Sequence, residues 1–198
     1  MVFKVEIDFS ELEAYAKHVG AAADQVPFAL ALALNRSADV TRRLLIETTW
    51  PQHVQSRNKS FIAASLTTKE ARASKQSLAV EIYDKLDRGN LVMQALGGTR
   101  APMGGSNLAV PSSGVPKTSR GVTASLRPKN LQPTKSFRRG DVLYAKDRKG
   151  KLRLLYVLKH QTKIPKRVPF YEDYAASMRR ELLRTIPLAV QQAMSTRR

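Results

Sequence analysis

The stretch Pro27–Val54, beginning PFALALALNRSADVTRRLLIETTW, is the longest run with helical period in the chain. Its first half is nearly all Ala and Leu, and its second half turns cationic at Arg42 and Arg43. Val26, Leu30, Ala33, Ser37, Val40 and Leu44 step by three or four residues and form one stripe. Ala31, Leu34, Ala38 and Leu45 form a second row beside it. Together they give an apolar face broad enough for a core helix. Pro27 is tolerated at a helix start, whereas Pro51 sits where the helix is expected to bend or stop, before Val54. A helix of this length predicts a spine against which a sheet packs.

Before it, Val2–Phe9 alternates apolar and charged residues and reads as a short strand rather than a signal peptide. Ser10 offers an N-cap to an amphipathic helix carrying Leu12, Tyr15, Ala16 and Val19, which Gly20 ends. After it, Phe61–Ala64 predicts a second short helix. Leu66–Ala73 and Ser77–Tyr83 read as a hairpin around Ser74-Lys75-Gln76.

Towards the C-terminus, Val142–Ala145 and Leu152–Leu158 flank Asp147-Arg148-Lys149-Gly150, a hairpin signal. Leu152, Leu154, Tyr156 and Leu158 are expected on one face and Lys151, Arg153, Leu155, Val157 and Lys159 on the other. Ile164-Pro165-Lys166-Arg167-Val168-Pro169 reads as an extended connector, because each proline removes a donor and restrains its predecessor. Phe170–Met194 then carries Tyr171, Tyr174, Met178, Leu182 and Ile186 one turn apart, a terminal helix that Pro187 should kink. Between the hairpins, residues 97–136 alternate glycine and proline with Ser and Thr and show no periodicity. They read as a long flexible basic arm. The expected fold class is α+β: a long N-terminal helix and a C-terminal helix packed on antiparallel β-hairpins. Residues 1–96 and 137–198 are expected to form one domain interrupted by the arm at 97–136.

Charge is the loudest compositional signal, with 34 Lys and Arg against 16 Asp and Glu in 198 residues, a net +18. Such an excess predicts a polyanionic neighbour, either nucleic acid or an acidic protein surface. Residues 88–140 contain no acid, and twelve Lys and Arg between Lys135 and Arg167 face two acids, Asp141 and Asp147. Candidate DNA or partner contacts are Arg100, Lys117, Arg120, Arg127, Lys129, Lys135, Arg138, Arg139, Arg148, Lys149 and Lys151. A solvated hairpin face is the plainer explanation of the same pattern. Only Phe137, Tyr144 and Tyr156 interleave these cations, which favours backbone neutralisation over base stacking.

Enzymatic signals are thin. His18, His53 and His160 lie far apart, there is no cysteine, and no serine occupies a nucleophile elbow. Gly97-Gly98 and Gly104-Gly105 lack the Gly-Lys-Ser/Thr that a phosphate loop requires. No catalytic residue, cofactor or metal is expected. The apolar run Phe28–Leu34 is far short of the about 20 residues a membrane span needs, so no membrane partner is expected either.

Val26-Pro27, the Ala-rich run and Ala33-Leu34-Asn35-Arg36 form one signature. Lys163-Ile164-Pro165-Lys166-Arg167-Val168-Pro169-Phe170 forms another. With the strand pair around Ala71–Ile82, the Gly/Ser-rich basic insertion and the hairpin Gly140–Leu158 between them, the chain resembles the minor tail protein Z family. That family comprises tail-completion proteins of lambda-like tailed phages. More loosely, the chain is similar to phage neck and tail-completion proteins of α+β fold. The central insertion departs most, with more proline and scattered arginines. The resemblance implies a non-enzymatic structural protein of the virion tail or neck, made in the bacterial host cytoplasm. It would form a hexameric or dodecameric ring of copies of itself around the DNA channel. Neck, tail-tube or tail-terminator proteins, and genome DNA in the channel, would be its neighbours. Asn35, Arg36, Pro165 and Pro169 are the assembly-motif residues it implies.

Overall fold

The computed structural model describes residues 2–3, 9–56, 58, 60–87, 90–102, 105–118, 121–146 and 150–196. The central stretch is helical from 26 to 53: α2 (Val26–Leu44), a π-turn (Leu45–Thr49) and α3 (Trp50–His53) follow one another without a break. Of the two outcomes expected at Pro51, a bend or a stop, the helix does not stop there: it widens into the π-turn before the proline and runs on to His53. Proline has no N–H to donate and its ring crowds the preceding turn, and a wide π-turn immediately before it relieves both problems. Trp50 is thereby buried, stacked on Phe170 at 5.8 Å and tilted against Phe61 at 6.1 Å.

The chain divides into two compact units, residues 1–95 with 166–198, and residues 96–165. In the first unit, α1 (Phe9–His18) opens one residue earlier than expected, so Ser10 lies inside its first turn. Of the expected Val2–Phe9 strand, Val2–Phe3 forms β1 and Phe9 opens α1; residues 4–8 lie outside the described residues. The core is the contact between α2 and α6 (Phe170–Ser195). Ala29, Leu30, Ala33, Leu34 and Ala38 on α2, and Tyr174, Met178, Leu182, Ile186, Ala189 and Ala193 on α6, are all buried. Small side chains let the helices approach closely. Each buried hydroxyl in the seam meets another: Thr41 with Ser177 at 2.9 Å, and Ser37 with Thr185 at 3.4 Å.

The expected hairpin around Ser74 forms with an irregular ladder: Ser74 and Ser77 exchange N–H···O bonds at 2.8 and 3.2 Å across the turn, Glu81 N donates to Ala71 O at 3.0 Å, and only the base pairs as regular strands. β2 (Leu66–Thr67) and β3 (Ile82–Asp84) are antiparallel, with Leu66 opposite Asp84, and β1 flanks β3 on its other side. Residues 68–81 between these strands are an irregular hairpin rather than a regular ladder, and α4 (Phe61–Ser65) precedes β2. An α5 helix (Asn90–Leu96) follows β3. The first-unit connector is held by Gln94, whose carbonyl accepts from Arg167 N at 2.9 Å and Val168 N at 3.0 Å.

The second unit differs most from expectation. Residues 97–136, read as a flexible arm, carry β4 (Gly98–Arg100), β5 (Leu108–Pro111), β6 (Lys117–Thr118), β7 (Gly121–Val122) and two 3-10 turns, Ala124–Leu126 and Pro128–Asn130. They cluster with β8 (Ser136–Arg139), β9 (Val142–Lys146), β10 (Leu152–Lys159) and β11 (Thr162–Ile164). The hairpin at 142–158 thus belongs with the 97–136 segment, not with the helices. Its sheet has the antiparallel order β5-β10-β9-β8, and β11 pairs with β4. Each strand is short and the glycine- and proline-rich links have no period of their own. Their order comes from pairing with a distant strand, which local periodicity does not report.

A β-bulge at Leu155 changes the facing of β10. Leu152 and Leu154 turn outwards, whereas Leu155 and Tyr156 are both buried, so the expected single Leu/Tyr face is split. Ser112 closes the bulge: its N–H donates to Leu155 O at 2.9 Å and its Oγ to Leu154 O at 2.7 Å. Val115, Val122, Leu126 and Leu131 then cover one side of the sheet, packing around Leu155, Tyr156, Leu143, Ala145 and Ala109. Tyr156 donates its hydroxyl to Leu126 O at 2.7 Å, and burial pushes its pKa up, with the Arg127 charge opposing.

Candidate functional site

The Asn-Arg signature on α2 is built into the fold. Asn35 is half-buried and forms a two-way clamp on the loop: its Nδ2 donates to Ala73 O at 2.9 Å, and its Oδ1 accepts from Ala73 N at 2.9 Å. One amide thus does for Ala73 what a neighbouring strand would do, which is why the ladder stops short there. Arg36 is exposed and donates to Gln192 Oε1 on α6. It borders an open groove of about 470 Å³ between α2 and α6, which Arg43, Arg184 and Leu188 also line. Pro165 is exposed at the end of the second unit, and half-buried Pro169 immediately precedes α6.

Several cations of the first unit are committed internally. Arg42 donates to Leu66 O at 2.6 Å and to Ala63 O at 2.9 Å, tying α4 to β2. Arg72 grips Asp39 through both nitrogens at 3.0 and 2.9 Å, which raises the guanidinium's pKa further. Buried Glu181 takes Arg184 at 2.7 Å and Arg180 at 3.2 Å. Lys166 pairs with Glu172 and holds that carboxyl below its usual range.

The candidate contacts fall mostly in the second unit, at several separate places. Arg100 is exposed on β4, Lys117 on β6, and Arg127 and Lys129 at the 3-10 turns; Lys135, Arg138 and Arg139 lie at or in β8, and Lys151 just before β10. Arg120, Arg148 and Lys149 lie outside the described residues. Arg138 and Arg139 point to opposite sides of the sheet. Arg138 is tied to the β8–β9 turn by Gly140 O at 2.7 Å and Asp141 at 3.5 Å.

Sequence reasoning missed the open side of the sheet. Strand register places Phe137 opposite Tyr144 and Tyr144 opposite Leu154, while Arg139, Val142, Val157 and Val110 form the next row. Lys146 and Leu152 form a third row. The Phe137 and Tyr144 rings stack at 5.7 Å and 21°. Period-2 alternation could have put Phe137 with Arg139 and Tyr144 with Lys146; only register could join the two pairs. Among the described residues no group of three or more His, Asp or Glu is placed to hold a metal, and no helix is long and apolar enough to cross a membrane. Compared with protein-family models, curated proteins and solved structures, the chain matches none.

Proposed function

We propose that the protein is a structural subunit of a tailed-phage virion, a tail-completion or neck component that forms a ring around the DNA channel at the head–tail junction. The observation that carries this reading is the Asn35 clamp. The Ala-Leu-Asn-Arg segment that prompted the family resemblance joins α2 to the Ala73 loop through both hydrogen-bonding groups of one amide. Ring closure needs two different, complementary surfaces on each copy. Mass spectrometry of purified virions and their isolated tails tests the assignment. The protein is expected in mature particles with a rotationally symmetric density at the neck, and its absence from them overturns the reading.

A second reading is a nucleic-acid-binding protein acting through residues 97–136, favoured by the concentration of cations in the second unit. It predicts duplex binding by the isolated protein that weakens steeply with salt. No binding near about 50 mM salt removes it.

A further inference from the structure

Seven large apolar side chains stand exposed among the described residues, and four of them share one place: Val110, Phe137, Leu152 and Leu154, on the open side of the four-stranded sheet. Phe137 is 40% exposed although its ring stacks on Tyr144, so its outer surface is available. Cations stand within this face. Arg139 lies two residues along β8 from Phe137, and Lys146 two residues along β9 from Tyr144. Because the strands are antiparallel, the two cations flank the ring pair on opposite sides. Lys159 extends the same face beyond Val157. Arg139, Lys146 and Lys159 are exposed and meet no carboxylate among the described residues.

We propose that this face binds single-stranded DNA without sequence preference, with a base stacking on Phe137 and with Arg139 and Lys146 neutralising the phosphates on either side. Stacking on aromatic side chains within a positive groove is how single strands are held independently of sequence. A duplex keeps its base faces inside its own stack, so it has nothing to present to an exposed ring. An acidic protein surface could meet the three cations at the row ends, but it offers no flat ring to stack on Phe137, as a base does. A second copy of the face is disfavoured, since it would bring the cations Arg139, Lys146 and Lys159 of both copies together with no carboxylate on the face. The face carries no amide or Ser/Thr hydroxyl in its strands: its residues are Leu, Val, Phe, Tyr, Arg and Lys. With its cations on phosphates, only the Tyr144 hydroxyl remains for a base edge, and an RNA 2′-hydroxyl lying on Val142 or Val157 would lose its water without a replacement. That selects DNA. Binding at this face does not depend on the protein's being a virion subunit, so loss of one and absence from particles are separate outcomes.

Fluorescence anisotropy of the full-length protein with a labelled oligothymidylate of about 15 nucleotides tests it. Phe137→Ala is expected to weaken binding about tenfold, while a duplex of equal length changes less than about twofold. Phe137→Leu keeps apolar bulk without a ring and is expected to lose as much, which covers the case in which the alanine variant does not fold. Phe137→Trp is expected to restore binding. Lys146→Ala is expected to lower the salt slope by about 0.7. Four results overturn the assignment: Phe137→Leu binding oligothymidylate as wild type does; duplex binding as tight as single-strand binding; oligouridylate binding several-fold tighter; or polyglutamate displacing the oligonucleotide equally well per charge, which would give the face to an acidic protein.

Discussion

Residues 1–95 with 166–198 hold fourteen of the sixteen acids, while residues 96–165 hold two acids against fifteen Lys and Arg. The second unit thus carries about +13 of the net +18 in little more than a third of the chain. The difference is one of use as well as number. In the first unit Arg42 ties backbone carbonyls, and Arg72, Arg180, Arg184 and Lys166 meet carboxylates. In the second, Arg139, Lys146 and Lys159 are directed to solvent on a half-apolar face. Most of these first-unit ion pairs are exposed and contribute little to stability. The helical unit itself nets +5, nineteen Lys and Arg against fourteen acids, so long-range attraction for polyanions concentrates on the other unit.

The sharpest way to break this contrast is to remove the same side chain from each unit. Leu30→Ala, at a fully buried α2 position, is expected to cost about 2–5 kcal/mol. Leu152→Ala, 54% exposed, is expected to stay within about 0.5 kcal/mol. Urea unfolding followed at Trp50, the single tryptophan and a reporter of the helical unit, measures the first change; amide exchange in β9 and β10 measures the second. Equal costs would mean that the open sheet face is as structural as the helix seam.

A second test concerns pH. Burial, helped by the Glu81 charge, raises the Tyr174 hydroxyl to about 12. The folded state therefore holds this proton more tightly than the unfolded chain, whose tyrosines titrate near 10. Its contribution is complete below about pH 10 and is lost as pH rises towards 12, by up to about 2–3 kcal/mol. Comparing wild type with Tyr174→Phe at about pH 8 and 11 isolates this group, and a stability difference that does not change with pH contradicts it.

The smallest effects come from the two polar clamps, one in each unit. Asn35→Ala leaves both backbone groups of Ala73 without their partner and is expected to cost about 2 kcal/mol. Ser112→Ala removes one bond to Leu154 O while the backbone bond to Leu155 O persists, so about 1 kcal/mol is expected. Thermal denaturation of both variants gives the ranking; a reversed order would place the stronger polar tie in the basic unit.

How far the fold was legible differs by element. The α2 stripe was readable because Leu30, Ala33, Leu34 and Ala38 recur at helical spacing and are all buried. So was α6, through Tyr174, Met178, Leu182 and Ile186. The β9–β10 hairpin was readable from alternation, but its facing was not, because one extra residue at Leu155 reverses everything on one side of it. The Ser74 hairpin was legible as a turn, closed by Ser74 and Ser77, but the irregularity of its ladder was not: Asn35, 38 residues upstream of Ala73, takes a strand partner's place there. The candidate cations were legible as a class, whereas the Phe137–Tyr144 pair was not.

By itself the sequence determined the quantities that follow from residue type and local spacing. These are the helical periods, the absence of thiolate chemistry, the charge excess and its concentration between 88 and 167. The tertiary structure decided which distant strands pair, and therefore that residues 97–136 join β8–β10 in a unit separate from the helices. It also decided which cations stand beside which rings. The physical reason is range: helix periodicity repeats within a few residues, but strand pairing between Val110 and Val157 is fixed only when the chain between them has folded.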